Sequence, residues 1–223
     1  MKREEPERSV TLYTYKTKRV LKTPYKLLLM GLVCVALVLA IRPLLVGMGS
    51  FLHLPTVETI CDAILVEAGP SISEYYMKQA IEALQCGKAR HLIVVLRSYD
   101  LNPAIFGIDH YDHYVGAALD SLGLGDHEYT IYKIAVNDPY TYNTARVLAD
   151  SLSHIRTLYI CNDSFHIRRS YMTFVKVLQD IKVYPYTIDI YIDPKSWYTS
   201  LNGWRRVMDE YVKLAYYKIN GYI

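Results

Sequence analysis

Residues 157–179 read TLYICNDSFHIRRSYMTFVKVLQ, and the change of pattern inside this stretch decides the fold. Thr157 to Cys161 is a short apolar run of strand length. Phe165 to Gln179 is long enough for a helix and carries helix-type patterning. Between them Asn162, Asp163 and Ser164 form a polar turn, and Asp163 or Ser164 can cap the helix that follows. A strand feeding a helix through a short polar turn is half of a βαβ unit.

The same alternation extends in both directions. Upstream, Asp62–Val66, His91–Leu96 and Tyr129–Val136 read as strands. The intervening helices are Ser73–Gln85, stopped by Gly87, Tyr111–Leu122, ended by Gly123, and Tyr140–Ser153. Downstream, Val183–Ile192 holds a fifth strand and Trp197–Tyr217 a closing helix. In that helix Trp197, Leu201, Trp204, Met208, Tyr211 and Ala215 form the expected packing stripe. Arg205 and Glu210 fall off it, and Glu210 is expected to pair with a nearby cation. Short strands alternating with helices predict an α/β fold: a three-layer sandwich around a mostly parallel sheet of about five strands. Right-handed crossovers then bring every strand-to-helix loop to one edge of the sheet.

The aliphatic content is concentrated before this domain. Leu27 to Ile41 is an unbroken apolar run, and Leu27–Val46 reaches spanning length with Arg42 near its outer end, placed to snorkel. The expected division is a basic tail over 1–26, a transmembrane helix over 27–47, a linker over 48–59 and an α/β domain over 60–223. A cleaved signal peptide and a buried core helix are the rival readings of the apolar run. Residues 1–26 carry eight basic and three acidic side chains, leaving 17 basic and 19 acidic in the remainder. The overall charge of +3 is therefore a property of the tail and acts as a topogenic signal, with the N-terminus cytoplasmic and the domain translocated. A nucleic-acid partner is not expected on the same ground, because the domain itself has no basic excess. Cys61, Cys86 and Cys161 are odd in number and contain no CxxC pair, so they read as small core residues, not a disulfide framework.

The strands are nearly free of charge, while their C-terminal ends are rich in it. Asn162, Ser164, His166, Arg168 and Arg169 follow the fourth strand; the helix start attracts anions, with Arg168 and Arg169 as the clamp and His166 as acid/base. Asp138, Thr141 and Asn143 follow the third strand, where Asp138 is expected to cap a helix opened by Pro139, and Thr141 and Asn143 to offer ligand contacts. Glu67 ends the first strand; an unpaired carboxylate there is costly, so it faces the edge or pairs with Arg168 or Arg169, as base or orienter of His166. Asp109, His110, Asp112 and His113 have metal-ligand residue types but no metal-site spacing, and read as a solvated loop with a helix cap. Neither a metal nor a cofactor is expected. A nucleophile elbow and a Gly-rich phosphate loop are both missing, which weakens covalent hydrolase and nucleoside-triphosphatase readings. The 22 Tyr against 4 Phe suit a wet, sugar-facing or interfacial surface, and core packing equally.

The segments DAILVEAG (62–69), DPYTYNTA (138–145), NDSFHIRRS (162–170) and WYTSLNGWRRVMDEYVKLAYY (197–217) resemble the ElyC/SanA/YdcF family. The likeness covers Asp62 to Tyr217. The chain departs from better-known members after the first strand, where Glu67-Ala68-Gly69 replaces paired glycines. After the second strand, Leu96-Arg97-Ser98 replaces a Ser-Gly-Gly turn. The resemblance implies a Rossmann-like domain behind one transmembrane helix, in the bacterial inner membrane, serving cell-wall or surface-polysaccharide biogenesis. The expected ligand is an anionic small molecule or lipid-linked phosphate or sugar carrier. The alternative is a non-enzymatic binding or scaffold module working with envelope synthesis proteins.

Overall fold

The computed structural model describes residues 22–68, 74–97, 111–189 and 191–223. Helix α1 (Thr23–Leu52) precedes strand β1 (Ala63–Ala68), helix α2 (Glu74–Gln85) and strand β2 (Leu92–Arg97). Helix α3 (Tyr111–Ser121), strand β3 (Tyr129–Ile134), helix α4 (Tyr140–Leu148) and strand β4 (Thr157–Asp163) follow. Helix α5 (Ile167–Val177), strand β5 (Lys182–Ile188), a 3₁₀ turn at Trp197–Thr199 and helix α6 (Leu201–Ile219) complete the chain. The chain divides into two units, Met1–Arg42 and Pro43–Ile223.

The sheet has five strands in the order β3-β2-β1-β4-β5, and every pairing is parallel. Apolar side chains point alternately to its two faces. Ile64, Val66, Leu92 and Val94 pack with Met77 and Ile81 of α2 and Leu119 of α3. Leu65, Ile93, Val95 and Ile160 pack with Leu148 of α4 and Phe174 of α5 on the other side. Covered faces explain why the strands read as continuous apolar runs. The fold is therefore α/β with helices on both sides of an all-parallel sheet, as expected. The strand order reverses between β1 and β4, and in open parallel sheets the crevice at such a reversal, beyond the strand C-termini, is where ligands bind.

Helix α1 holds one window long and apolar enough to span a membrane, with mean hydropathy 2.5 and none of it buried. Its large side chains from Tyr25 to Leu44 are exposed on every side, which suits lipid and not the interior of a soluble domain.

Several boundaries differ from expectation. The stretch 48–59 is not a linker. Leu52 is fully buried with Trp197 and Val207, Trp197 Nε1 donates to the Leu45 carbonyl at 2.7 Å, and Tyr211 donates to the Met48 carbonyl at 3.0 Å. The folded unit thus begins at Pro43, because the last turns of α1 supply part of its core. The closing helix is also rephased. Trp197 belongs to the 3₁₀ turn, and Ser200 caps α6 by accepting from Gly203 N at 3.0 Å. The buried stripe is Gly203, Val207, Glu210, Leu214 and Tyr217, while Leu201 is 86% exposed. Glu210 lies inside this stripe, not beside it.

Candidate functional site

Glu67 lies at the C-terminal end of β1, and Asn162 and Asp163 end β4, the strand across the reversal. Glu67 is almost wholly enclosed, with its side chain 3% exposed. Its Oε2 accepts from Ser170 Oγ at 3.1 Å and from Asn162 Nδ2 at 3.4 Å, and Asn162 also donates to Ser170 at 3.0 Å. Among the described residues its Oε1 is buried with no hydrogen-bond partner. A buried carboxylate oxygen left open is costly, so such a group marks a place where a proton or a ligand donor belongs.

His166 Nε2 faces Glu67 Oε2 at 3.9 Å. The opposite ring nitrogen is held by α5 and α6. Nδ1 lies 2.7 Å from Arg169 Nη2, which only donates, and 3.2 Å from Glu210 Oε1, which only accepts when ionised. With the proton on Nε2, the neutral ring accepts from Arg169. With Nδ1 protonated, it donates to Glu210. Either way the second nitrogen is directed at Glu67. Asp163 Oδ1 fixes the backbone beneath it, accepting from the Phe165 and His166 amides at 2.9 and 3.2 Å.

Arg169 is buried and its donors are largely used. Nε and Nη2 donate to the two oxygens of Glu210 at 2.9 and 3.1 Å, and Nη1 donates to Thr141 Oγ1 at 3.1 Å. Its guanidinium lies 5.0 Å from the Tyr217 ring centroid. Burial pushes the Glu210 carboxyl up, but His166 and Arg169 outweigh it and hold it well below the usual carboxylate range. Burial opposes the charge on Arg169 too, and the Glu210 hydrogen bonds overcome it and raise its pKa. Lys213, 44% exposed, reaches Glu210 at 3.4 Å and Asp209 at 2.5 Å. A cavity of about 410 Å³ opens beside these groups, walled by Asp138, Thr141, His166, Lys213 and Tyr217.

The structure therefore brings together Glu67, His166, Asn162, Thr141 and Arg169. It separates others from them. Arg168 donates from Nε to the Phe51 carbonyl, and its guanidinium lies 4.2 Å from the Phe51 ring centroid, so it closes the α1 junction and is not half of an anion clamp. Ser164 is fully buried and donates weakly, at 3.4 Å, to the Ile188 carbonyl on the far side of β4. Asn143 donates to the Asn137 carbonyl at 2.9 Å and braces its own loop. Asp138 does not cap α4: Pro139 holds the N-cap position with no side-chain bond, and Asp138 lines the cavity instead. Asp163 accepts from the Phe165 and His166 amides, ahead of α5, and the N-cap residue His166 makes no side-chain cap bond. Glu67 pairs with His166 and Ser170 in place of an arginine.

Ser170, Lys213 and the central role of Glu210 were not anticipated. Glu210 was visible as one of two adjacent carboxylates in the closing helix, and the helix phase places it on the buried face. Of the polar loop, Asp109 and His110 lie outside the described residues. Among the described residues no group of three or more His, Cys, Asp and Glu side chains is arranged to hold a metal. No protein-family model and no curated protein matches this chain.

Proposed function

We propose that this chain is a membrane-anchored protein whose α/β domain binds and processes an anionic, phosphorylated ligand, with Glu67 and His166 as the acid/base pair. The observation that carries this reading is His166 Nε2 directed at the enclosed carboxylate of Glu67, one oxygen of which has no partner among the described residues, at the sheet's reversal point. A proton taken or given at Nε2 is compensated at Nδ1 by Glu210, which serves as the orienter. The anion is held by Lys213 and, in an adjoining cavity, by Arg206, which lies 3.6 Å from Asp163. These cations are about half exposed, and exposed ion pairs contribute about 0–1 kcal/mol, so a phosphate can compete for them. Arg169 is neutralised by Glu210 and shapes the site without leaving it.

The resemblance to the ElyC/SanA/YdcF family supplies the context: an envelope precursor, lipid-linked or a sugar phosphate, met outside the bacterial inner membrane. The basic 1–26 tail favours a cytoplasmic N-terminus. The test uses the purified full-length chain in detergent, titrated with phosphate monoesters and a polyprenyl phosphate. Binding and turnover are expected, with turnover lost in Glu67→Gln and His166→Gln. A wild-type protein that neither binds nor turns over any of these compounds refutes the proposal. A scaffold role is favoured by one observation, the saturation of Arg169 and Glu210 by each other. It predicts that His166→Ala and Glu67→Ala leave envelope integrity intact in a complementation assay.

A further inference from the structure

The cavity beside His166 does not end there. It shares His166 and Lys213 with a second cavity, which shares Arg206 and Asp209 with a third of about 590 Å³. One face of α6, from Asn202 to Tyr217, walls all three. At 1.5 Å per residue that face runs about 22 Å. The far cavity differs in chemistry from the catalytic end. Its floor is tyrosine: Tyr75 and Tyr76 at the start of α2, and Tyr191 after β5. Tyr191 is fully exposed, and its ring lies near that of Tyr75, with centroids 6.5 Å apart and planes 29° apart. The phenol tips of the α2 pair are tied down. Tyr75 donates to the Asp189 carbonyl and Tyr76 to Asp163 Oδ2, both at 3.1 Å. With their hydroxyls engaged, the rings of Tyr75 and Tyr76 line the cavity. The opposite wall, Asn202, Arg205 and Asp209, mixes donors with a carboxylate acceptor.

Exposed aromatic faces opposite mixed donors and acceptors suit a ring with an apolar C–H face and a hydroxyl rim. From this we infer that the tyrosine-floored cavity is a saccharide subsite, and that the ligand is an extended glycosyl phosphate whose sugar stacks on Tyr75 and Tyr191 while its phosphate reaches Lys213 and His166. This inference rests on the phosphorylated-ligand reading above for the phosphate end only. A planar nucleobase also stacks on tyrosine, so a nucleotide is the competing probe in the test.

The test compares inorganic phosphate, glucose 1-phosphate, maltotetraose, chitotetraose and AMP as probes of the full-length protein in detergent, read by saturation-transfer NMR and tyrosine fluorescence. Glucose 1-phosphate or a tetrasaccharide should bind, and Tyr191→Ala and Tyr75→Ala should each weaken it about tenfold, the scale of one lost stacking contact. Phosphate binding should be unchanged in both variants and weakened in Lys213→Ala. Because Tyr191 is fully exposed, its removal does not threaten the fold. Tetrasaccharide binding that depends on Tyr191, with no phosphate binding, would leave the subsite standing and overturn the anion reading. Absence of saccharide binding, saccharide affinity indifferent to both tyrosines, or tighter binding of AMP than of glucose 1-phosphate would overturn the subsite.

Discussion

Replacing Glu210 by Gln tests the organising contact of the site. The carboxylate accepts two hydrogen bonds from Arg169 and approaches His166 Nδ1, and both it and Arg169 are buried. Removing one member of a buried pair strands the other, at a cost of about 3–5 kcal/mol. The folded unit spans Pro43–Ile223, a size at which 1 kcal/mol moves Tm by about 2–4 °C. The expected fall is therefore about 6–20 °C, read as a thermal melt of the full-length protein in detergent. Strain at the position is separated from loss of charge by a double-mutant cycle with Arg169→Met. The Glu210→Gln/Arg169→Met protein should be less destabilised than the sum of the singles by about 2 kcal/mol or more. The pH dependence carries the same signature. The folded Glu210 carboxyl titrates below its ordinary value of 4.5, so its contribution is full above that value and is lost as acid carries the pH down toward the folded pKa. Wild-type stability should fall over that window more steeply than that of Glu210→Gln. A variant within about 0.5 kcal/mol of wild type, or an additive cycle, would refute the reasoning.

Three further outcomes follow from single contacts. Gly203→Ala places a methyl group 1.9 Å from the Trp197 carbonyl oxygen, a backbone atom that cannot move aside, and should cost about 2–3 kcal/mol in a denaturant melt. Thr141→Val leaves Arg169 Nη1 without its acceptor at 3.1 Å and should lower stability by about 1–3 kcal/mol, rescued by Thr141→Ser. In a Cys34→Ala background, maleimide should label exposed Cys86 in the native protein but reach Cys61 and Cys161 only after unfolding. Burial, aided by Asp62, pushes the Cys61 thiol up to about 12, and burial alone raises Cys161.

Much of the architecture was legible because parallel strands buried on both faces must be apolar throughout. Runs such as Ala63–Val66 and Leu92–Leu96 announce themselves by composition alone. The closing helix misled for a related reason. Its aromatic residues suggested a stripe through Trp204, whereas the true stripe passes through Gly203 and Glu210. A glycine chosen for close approach to Trp197 and a carboxylate neutralised by a distant arginine carry no apolar signal. The boundary at Pro43 was hidden likewise, since residues 44–52 continue the apolar composition of residues 27–41 while packing into the domain.

The amino-acid pattern alone establishes the alternation of strand and helix, the mostly parallel sheet it implies, a helix long and apolar enough to cross a membrane, and the polar edge containing Glu67 and His166. What tertiary structure alone decided was the partner of each charge. Arg168 and Arg169 are neighbours in the chain, yet helical geometry turns them about 100° apart. One closes on Phe51, the other on Glu210, 41 residues away. Local periodicity says which residues share a face, but an ion pair forms between faces of different elements, and their meeting is set by how the helices pack on the sheet.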